Sequence, residues 1–143
     1  MNNNFDNYYK VGGSLKANHP TYITRQADHK LLRLLSTGEF CYVFNSRQTG
    51  KSSLRINTIK KLRKLQIKCA SVDLTLIGNK VTQEQWYRGF STQLIYSLEL
   101  EDDLDINEWW SQKTSLSEVQ KLNELFSEII LKIIDQSIII FID

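Results

Sequence analysis

The run Phe40-Cys41-Tyr42-Val43-Phe44, followed at once by the polar loop Asn45 to Gly50 and then by a basic stretch from Lys51 to Leu65, constrains this chain more than any other feature. Five consecutive apolar, β-favouring residues read as a strand buried on both faces. In residues 51–65, Leu54, Ile59, Leu62 and Leu65 fall on one side of a helix, and Arg55, Lys60, Lys61, Arg63 and Lys64 on much of the other. Strand, tight loop and helix open a parallel crossover, so the remaining sequence should supply more strands and helices in alternation. Lys68 to Thr75 reads as a second strand, and Ser137 to Ile142, closed by Asp143, as a third and buried one. A helix is expected over Gln26–Thr37, with Ala27, Leu31, Leu34 and Leu35 at helical spacing and Gly38 as its C-terminal cap. Thr82-Gln83-Glu84-Gln85 and Ser115-Leu116-Ser117-Glu118 read as capping boxes that open two more helices. The second of these should carry Val119, Leu122, Phe126, Ile129, Ile130, Ile133 and Ile134 on one face. The fold class is therefore α/β with a mainly parallel sheet.

With 143 residues, 41% hydrophobic and 24% charged, the chain has the composition of one globular domain rather than a disordered or fibrous one. Its net charge of +2 hides an asymmetry: residues 1–80 carry 14 Lys and Arg against 4 Asp and Glu, and residues 81–143 carry 4 against 12. Such a split suits either solvated helix faces or an anionic ligand held by the first half. Cys41 and Cys69 stand far apart without metal-ligand spacing and read as buried core thiols. The N-terminus lacks the basic-then-apolar pattern of a secretory signal, and an uninterrupted apolar run such as Ile138–Ile142 is too short to span a bilayer. A cytoplasmic, membrane-free location is the expectation.

The segment Asn45-Ser46-Arg47-Gln48-Thr49-Gly50-Lys51-Ser52 matches the phosphate-binding pattern G-x-x-x-x-G-K-[ST] at Gly50, Lys51 and Ser52. A loop turning from a strand into a helix aims successive backbone N–H groups inward and adds the positive end of the helix dipole, which together cradle phosphate oxygens. Gly50 permits close backbone approach, Lys51 offers a point charge to the outer phosphates, and the Ser52 hydroxyl is a ligand for Mg²⁺. Asn45 replaces the first glycine, and asparagine is the side chain that most readily enters the left-handed region. Asp143, at the tip of a hydrophobic strand, is the candidate acidic partner for that metal, with Asp73 in the second strand as the weaker alternative. His19, His29 and the tryptophans 86, 109 and 110 read as surface and packing residues respectively.

Tyr9 to Leu15, Tyr22 to Asp28, and Gly38 to Val43 running into Asn45–Ser53 carry a resemblance to the AAA-like ATPase domain of the STAND class of signalling P-loop NTPases, a type common in cyanobacteria. The resemblance implies a three-layer P-loop sandwich, with ATP and Mg²⁺ as cofactors. It implies that Val11, Gly12 and Gly13 in an N-terminal arm (residues 1–24), and the segment Ile23-Thr24-Arg25, lie against the adenine and ribose. Residues Asn45, Ser46, Arg47, Gln48, Thr49, Gly50, Lys51, Ser52 and Ser53 would form the Walker A loop, and Ile138 to Asp143 the Walker B strand. Lys51 and Asp143 would then be the catalytic pair. Proteins of this class carry a catalytic glutamate, a further strand with a polar sensor, lid helices and a winged helix beyond this point. Residues 25–143 are therefore expected to be the first part of an ATPase domain within a longer protein, with an incomplete sheet.

Three functions compete on these residues. One is a nucleotide-operated switch in which Mg-ATP binding and slow hydrolysis alter packing on the C-terminal remainder of the protein or on neighbouring subunits of a homo-oligomer. Another is a nucleic-acid-binding or nucleic-acid-dependent module using the basic stretch 51–68, although Leu62, Leu65 and Ile67 interrupt it at core-facing positions. A small-molecule kinase is the third, and no acceptor pocket or base stands at a recognisable spacing.

Overall fold

The computed structural model describes His19, residues 21–44, Ser46 and residues 49–143. The chain forms two compact units, Met1–Ile67 and Lys68–Asp143.

In the first unit, α1 spans Gln26–Ser36. Gly38, at φ +80°, closes it: its N–H reaches the Leu35 carbonyl, and the Glu39 N–H reaches that of Leu34 at 3.0 Å. The long helix α2, Lys51–Lys64, ends in the same manner, with Gln66 at φ +61° and the Ile67 N–H donating to the Leu62 carbonyl at 3.1 Å. The buried side of α2 is Ser53, Leu54, Asn57, Thr58 and Leu62. Leu65, expected on that side, is the exposed C-cap. The expected strand Phe40–Phe44 is not a strand. It has no ladder partner among the described residues, and Phe40 and Phe44 are 83% and 87% exposed. A β-rich apolar run becomes a strand only when a neighbour takes its peptide groups. Here the rings pack on one another instead, Phe40 edge-on to Tyr42 at 5.0 Å and Tyr42 stacked on Phe44 at 5.7 Å. Cys41, expected in the core, is correspondingly only partly buried, while Cys69 is buried.

The second unit is built on a two-stranded parallel sheet of β1, Lys68–Val72, and β2, Ile138–Ile142, with Lys68 opposite Ile138 and Val72 opposite Ile142. Among the described residues the α/β character is therefore mixed and the sheet small. Between the strands run α3 (Gln83–Ser97), α4 (Ile106–Gln112) and α5 (Glu118–Glu124), the last continuing through a π-helical segment, Leu125–Ile130, into α6 (Leu131–Ile133). The capping box at Thr82 forms as expected, with Gln85 N–H on the Thr82 hydroxyl and Thr82 N–H on the Gln85 side chain. The box opening α5 is Ser117 with Gln120, two residues later than the Ser115–Glu118 expectation. The seven apolar residues expected on one face of that helix are divided. Ile130 and Ile134 enter the core, joined by Leu125 from outside the expected set; Leu122, Phe126 and Ile129 pack against it partly buried, and Val119 and Ile133 stay exposed. The π-turn causes this, since it puts Leu125 and Ile130, five apart, on the same side.

Ala70, Val72, Phe90, Leu94, Ile95, Leu98, Leu100, Ile106 and Trp110 complete the core of this unit, and Trp86, stacked on Phe90 at 5.6 Å, packs against it. Side chains of α3 seal the flank of β1 that faces away from β2. Ser97 Oγ accepts the Ser71 N–H at 2.7 Å, and the Gln93 amide accepts the Asp73 N–H at 2.8 Å and donates to the Asp73 carbonyl at 2.9 Å. Gly89 lets Ile77 lie close on α3, since a Cβ there would stand 3.1 Å from the Ile77 side chain.

Candidate functional site

The segment that matches the phosphate-binding pattern runs into the start of α2. Gly50 is the N-cap of α2 with φ +82°, a left-handed conformation that a side chain would strain, and the Leu54 N–H closes the first helical turn on the Gly50 carbonyl at 2.9 Å. A glycine cap brings no side-chain oxygen to the helix start, and no side-chain cap hydrogen bond forms there. The loop is braced by its own residues. The Ser46 carbonyl accepts both the Thr49 hydroxyl at 2.8 Å and the Lys51 ammonium at 2.7 Å, which folds Lys51 across the turn. Ser52 is exposed in the first turn of α2, and Ser53 is buried. This donor set fits the proposed ligands: N–H groups and an ammonium for phosphate oxygens, and an accessible hydroxyl for a hard cation. Asn45, Arg47 and Gln48, like Val11, Gly12 and Gly13, lie outside the described residues.

Arg25 reaches this loop from the start of α1. Its guanidinium donates to the Thr49 carbonyl at 3.0 Å, and its terminal nitrogens stand 3.6 and 3.7 Å from where a Cβ on Gly50 would be. Behind Arg25 sits Asp28, only 2% exposed. The carboxylate of Asp28 accepts the Arg25 N–H at 2.9 Å, lies 3.6 Å from its Nε, and also accepts the Tyr22 hydroxyl. Burial pushes the Asp28 carboxyl up, and the Tyr22 hydroxyl, the Arg25 amide and the charges of Arg25 and Lys61 outweigh it, holding the group below the usual carboxylate range. Burial, followed by the hydrogen bond to Asp28, pushes the Tyr22 phenol up. Sequence reasoning assigned no role to Asp28 or Tyr22. The one available signal was an acid three residues after the helix-opening Arg25, half of a capping box.

The second unit carries Asp143 one residue past β2, exposed, its N–H on the Val72 carbonyl at 3.0 Å and its carbonyl accepting from Leu74 at 2.8 Å. Its backbone thus continues the parallel ladder, which fixes the point at which the carboxylate leaves the sheet. Asp73 is engaged locally, accepting the Thr75 N–H at 2.9 Å and its hydroxyl at 2.6 Å to cap the turn Leu74–Leu76.

No helix among the described residues is long and apolar enough to cross a membrane. No solved structure matches the chain. An uncharacterized WD repeat-containing protein of Synechocystis is 46% identical over 136 residues, covering 94% of this chain and 11% of the relative, so the chain spans about a ninth of that protein's length. A family model of AAA-like domains matches residues 10–143. Since that match covers nearly the whole chain, the chain belongs to the AAA-like domain family.

Proposed function

We propose that this domain binds Mg-ATP and acts as a nucleotide-dependent switch within a larger multidomain protein. The observation that carries the reading is Gly50-Lys51-Ser52 standing at the start of a 14-residue helix, with Gly50 left-handed and Lys51 folded over the loop. Lys51 is assigned to the outer phosphates, with the loop 45–53 supplying amides to the phosphate oxygens. Ser52 is assigned as a magnesium ligand and Asp143 as the acidic metal residue. Mg²⁺ supplies charge neutralisation on the phosphates when bound. Family membership supports nucleotide binding in general, and a much longer relative with WD repeats supports a domain that works as one part among several. The signalling role, the STAND assignment and slow hydrolysis as the reset belong to this proposal.

Calorimetry on the whole protein tests it. Wild type should bind Mg-ATP, and Lys51→Ala should lose most of that affinity, because a charge-assisted hydrogen bond to phosphate is removed from a site with few substitutes. Equal affinity in the two proteins would sink the reading. Asp143→Asn should weaken the magnesium dependence of binding.

A further inference from the structure

We propose that Asp28 is a positioning residue for the phosphate loop, acting through Arg25, with the Tyr22 hydroxyl fixing Asp28 in turn; this rests on the phosphate-loop reading above. The geometry forms a relay of three contacts. Tyr22 donates to Asp28, Asp28 accepts the Arg25 amide and flanks its Nε, and the Arg25 guanidinium donates to Thr49 beside Gly50. An arginine side chain left alone samples many rotamers, and ordering it costs that freedom. A carboxylate that is itself buried and anchored on the first turn of α1 holds both the backbone and the Nε of Arg25, so its terminal nitrogens are delivered to the loop already oriented. Their position beside Gly50 places a permanent positive charge against the peptide that would meet the phosphates. Asp28 is otherwise costly, being a buried carboxylate, and its partners are the groups that lead to the loop.

The role predicts which part of a nucleotide notices. In the whole protein, displacement of a fluorescent ATP analogue by ATP, ADP and adenosine should show Asp28→Asn weakening ATP and ADP by about tenfold, the worth of one oriented charge-assisted contact, with adenosine unchanged. Tyr22→Phe, which keeps the ring, should weaken them less and in the same order. Combining Asp28→Asn with Arg25→Lys should cost little more than Arg25→Lys alone, because both act through one guanidinium. Loss of adenosine affinity equal to that of ADP would overturn the proposal, since Arg25 would then serve the base or sugar. A lowered melting temperature with unchanged ADP affinity would overturn it too. If Asp28→Asn fails to fold, Tyr22→Phe and Arg25→Lys decide, and unchanged ADP affinity in both overturns it. Lys51→Ala separates the two levels. Should it bind as wild type does, the phosphate-loop reading fails and this proposal falls with it; should it lose binding while the Asp28 and Tyr22 variants do not, only the positioning role is lost.

Discussion

Asp28 links stability to pH in a direction fixed by its surroundings. Its carboxyl is held below the ordinary value, so the stabilisation is fully present above the unfolded-state pKa of about 4 and is lost as pH falls through the lower folded-state value. Thermal unfolding followed from pH 6 downward should therefore show an acid limb that Asp28→Asn flattens, the variant being less stable at neutral pH and closer to wild type in acid. A second residue-scale effect lies at Gln66, which closes α2 in a left-handed conformation that its side chain disfavours. Gln66→Gly should stabilise the protein by about 1 kcal/mol, the strain relieved being partly offset by glycine's greater freedom when unfolded. Urea denaturation with an unchanged slope is the check.

Among the elements, the flank of β1 at Asp73 is closed by one side chain. Gln93 both accepts from and donates to the Asp73 peptide, so Gln93→Leu leaves a partly buried N–H and C=O without their partner. The expected loss is about 1–3 kcal/mol in denaturant unfolding, with Gln93→Glu, which can still accept the N–H, falling between. What the sequence made legible follows the same logic of local against distant partners. The caps at Thr82 and Gly38 and the strand Ile138–Ile142, which is half-buried with Ile142 exposed rather than buried as expected, were readable because each is specified by residues a few positions apart or by one uninterrupted run. Phe40–Phe44 was misread because an apolar run states that a segment seeks burial and says nothing of whether a partner takes its peptides. The π-turn escaped because apolar residues at 125, 126, 129 and 130 satisfy several helical registers at once. In the candidate site, Gly50, Lys51 and Ser52 announced themselves by spacing, whereas the Tyr22–Asp28–Arg25 relay depends on a side chain reaching Thr49, 24 positions along the chain.

For the whole molecule, the basic excess of residues 1–80 divides by distance. Arg25 and Lys51 lie on the loop, while Arg63 and Lys64 end α2, about 20 Å further along at 1.5 Å per residue and well beyond a Debye length of about 8 Å. Replacing Arg63 and Lys64 together by glutamine should leave Mg-ATP affinity within about twofold, a span of roughly 0.4 kcal/mol. A mobility shift with duplex DNA that weakened steeply with added salt, and that this variant abolished, would instead assign the basic helix to nucleic acid. The seal that Gln93 and Ser97 place on β1 has a consequence at this scale. The parallel register turns the peptide groups of Ile138, Ile140 and Ile142 away from β1, so among the described residues the sheet has one stoppered margin and one receptive margin. Accretion of strands is thereby given a single heading, outward from β2, and any larger sheet seeded on this pair has β1 as its permanent border.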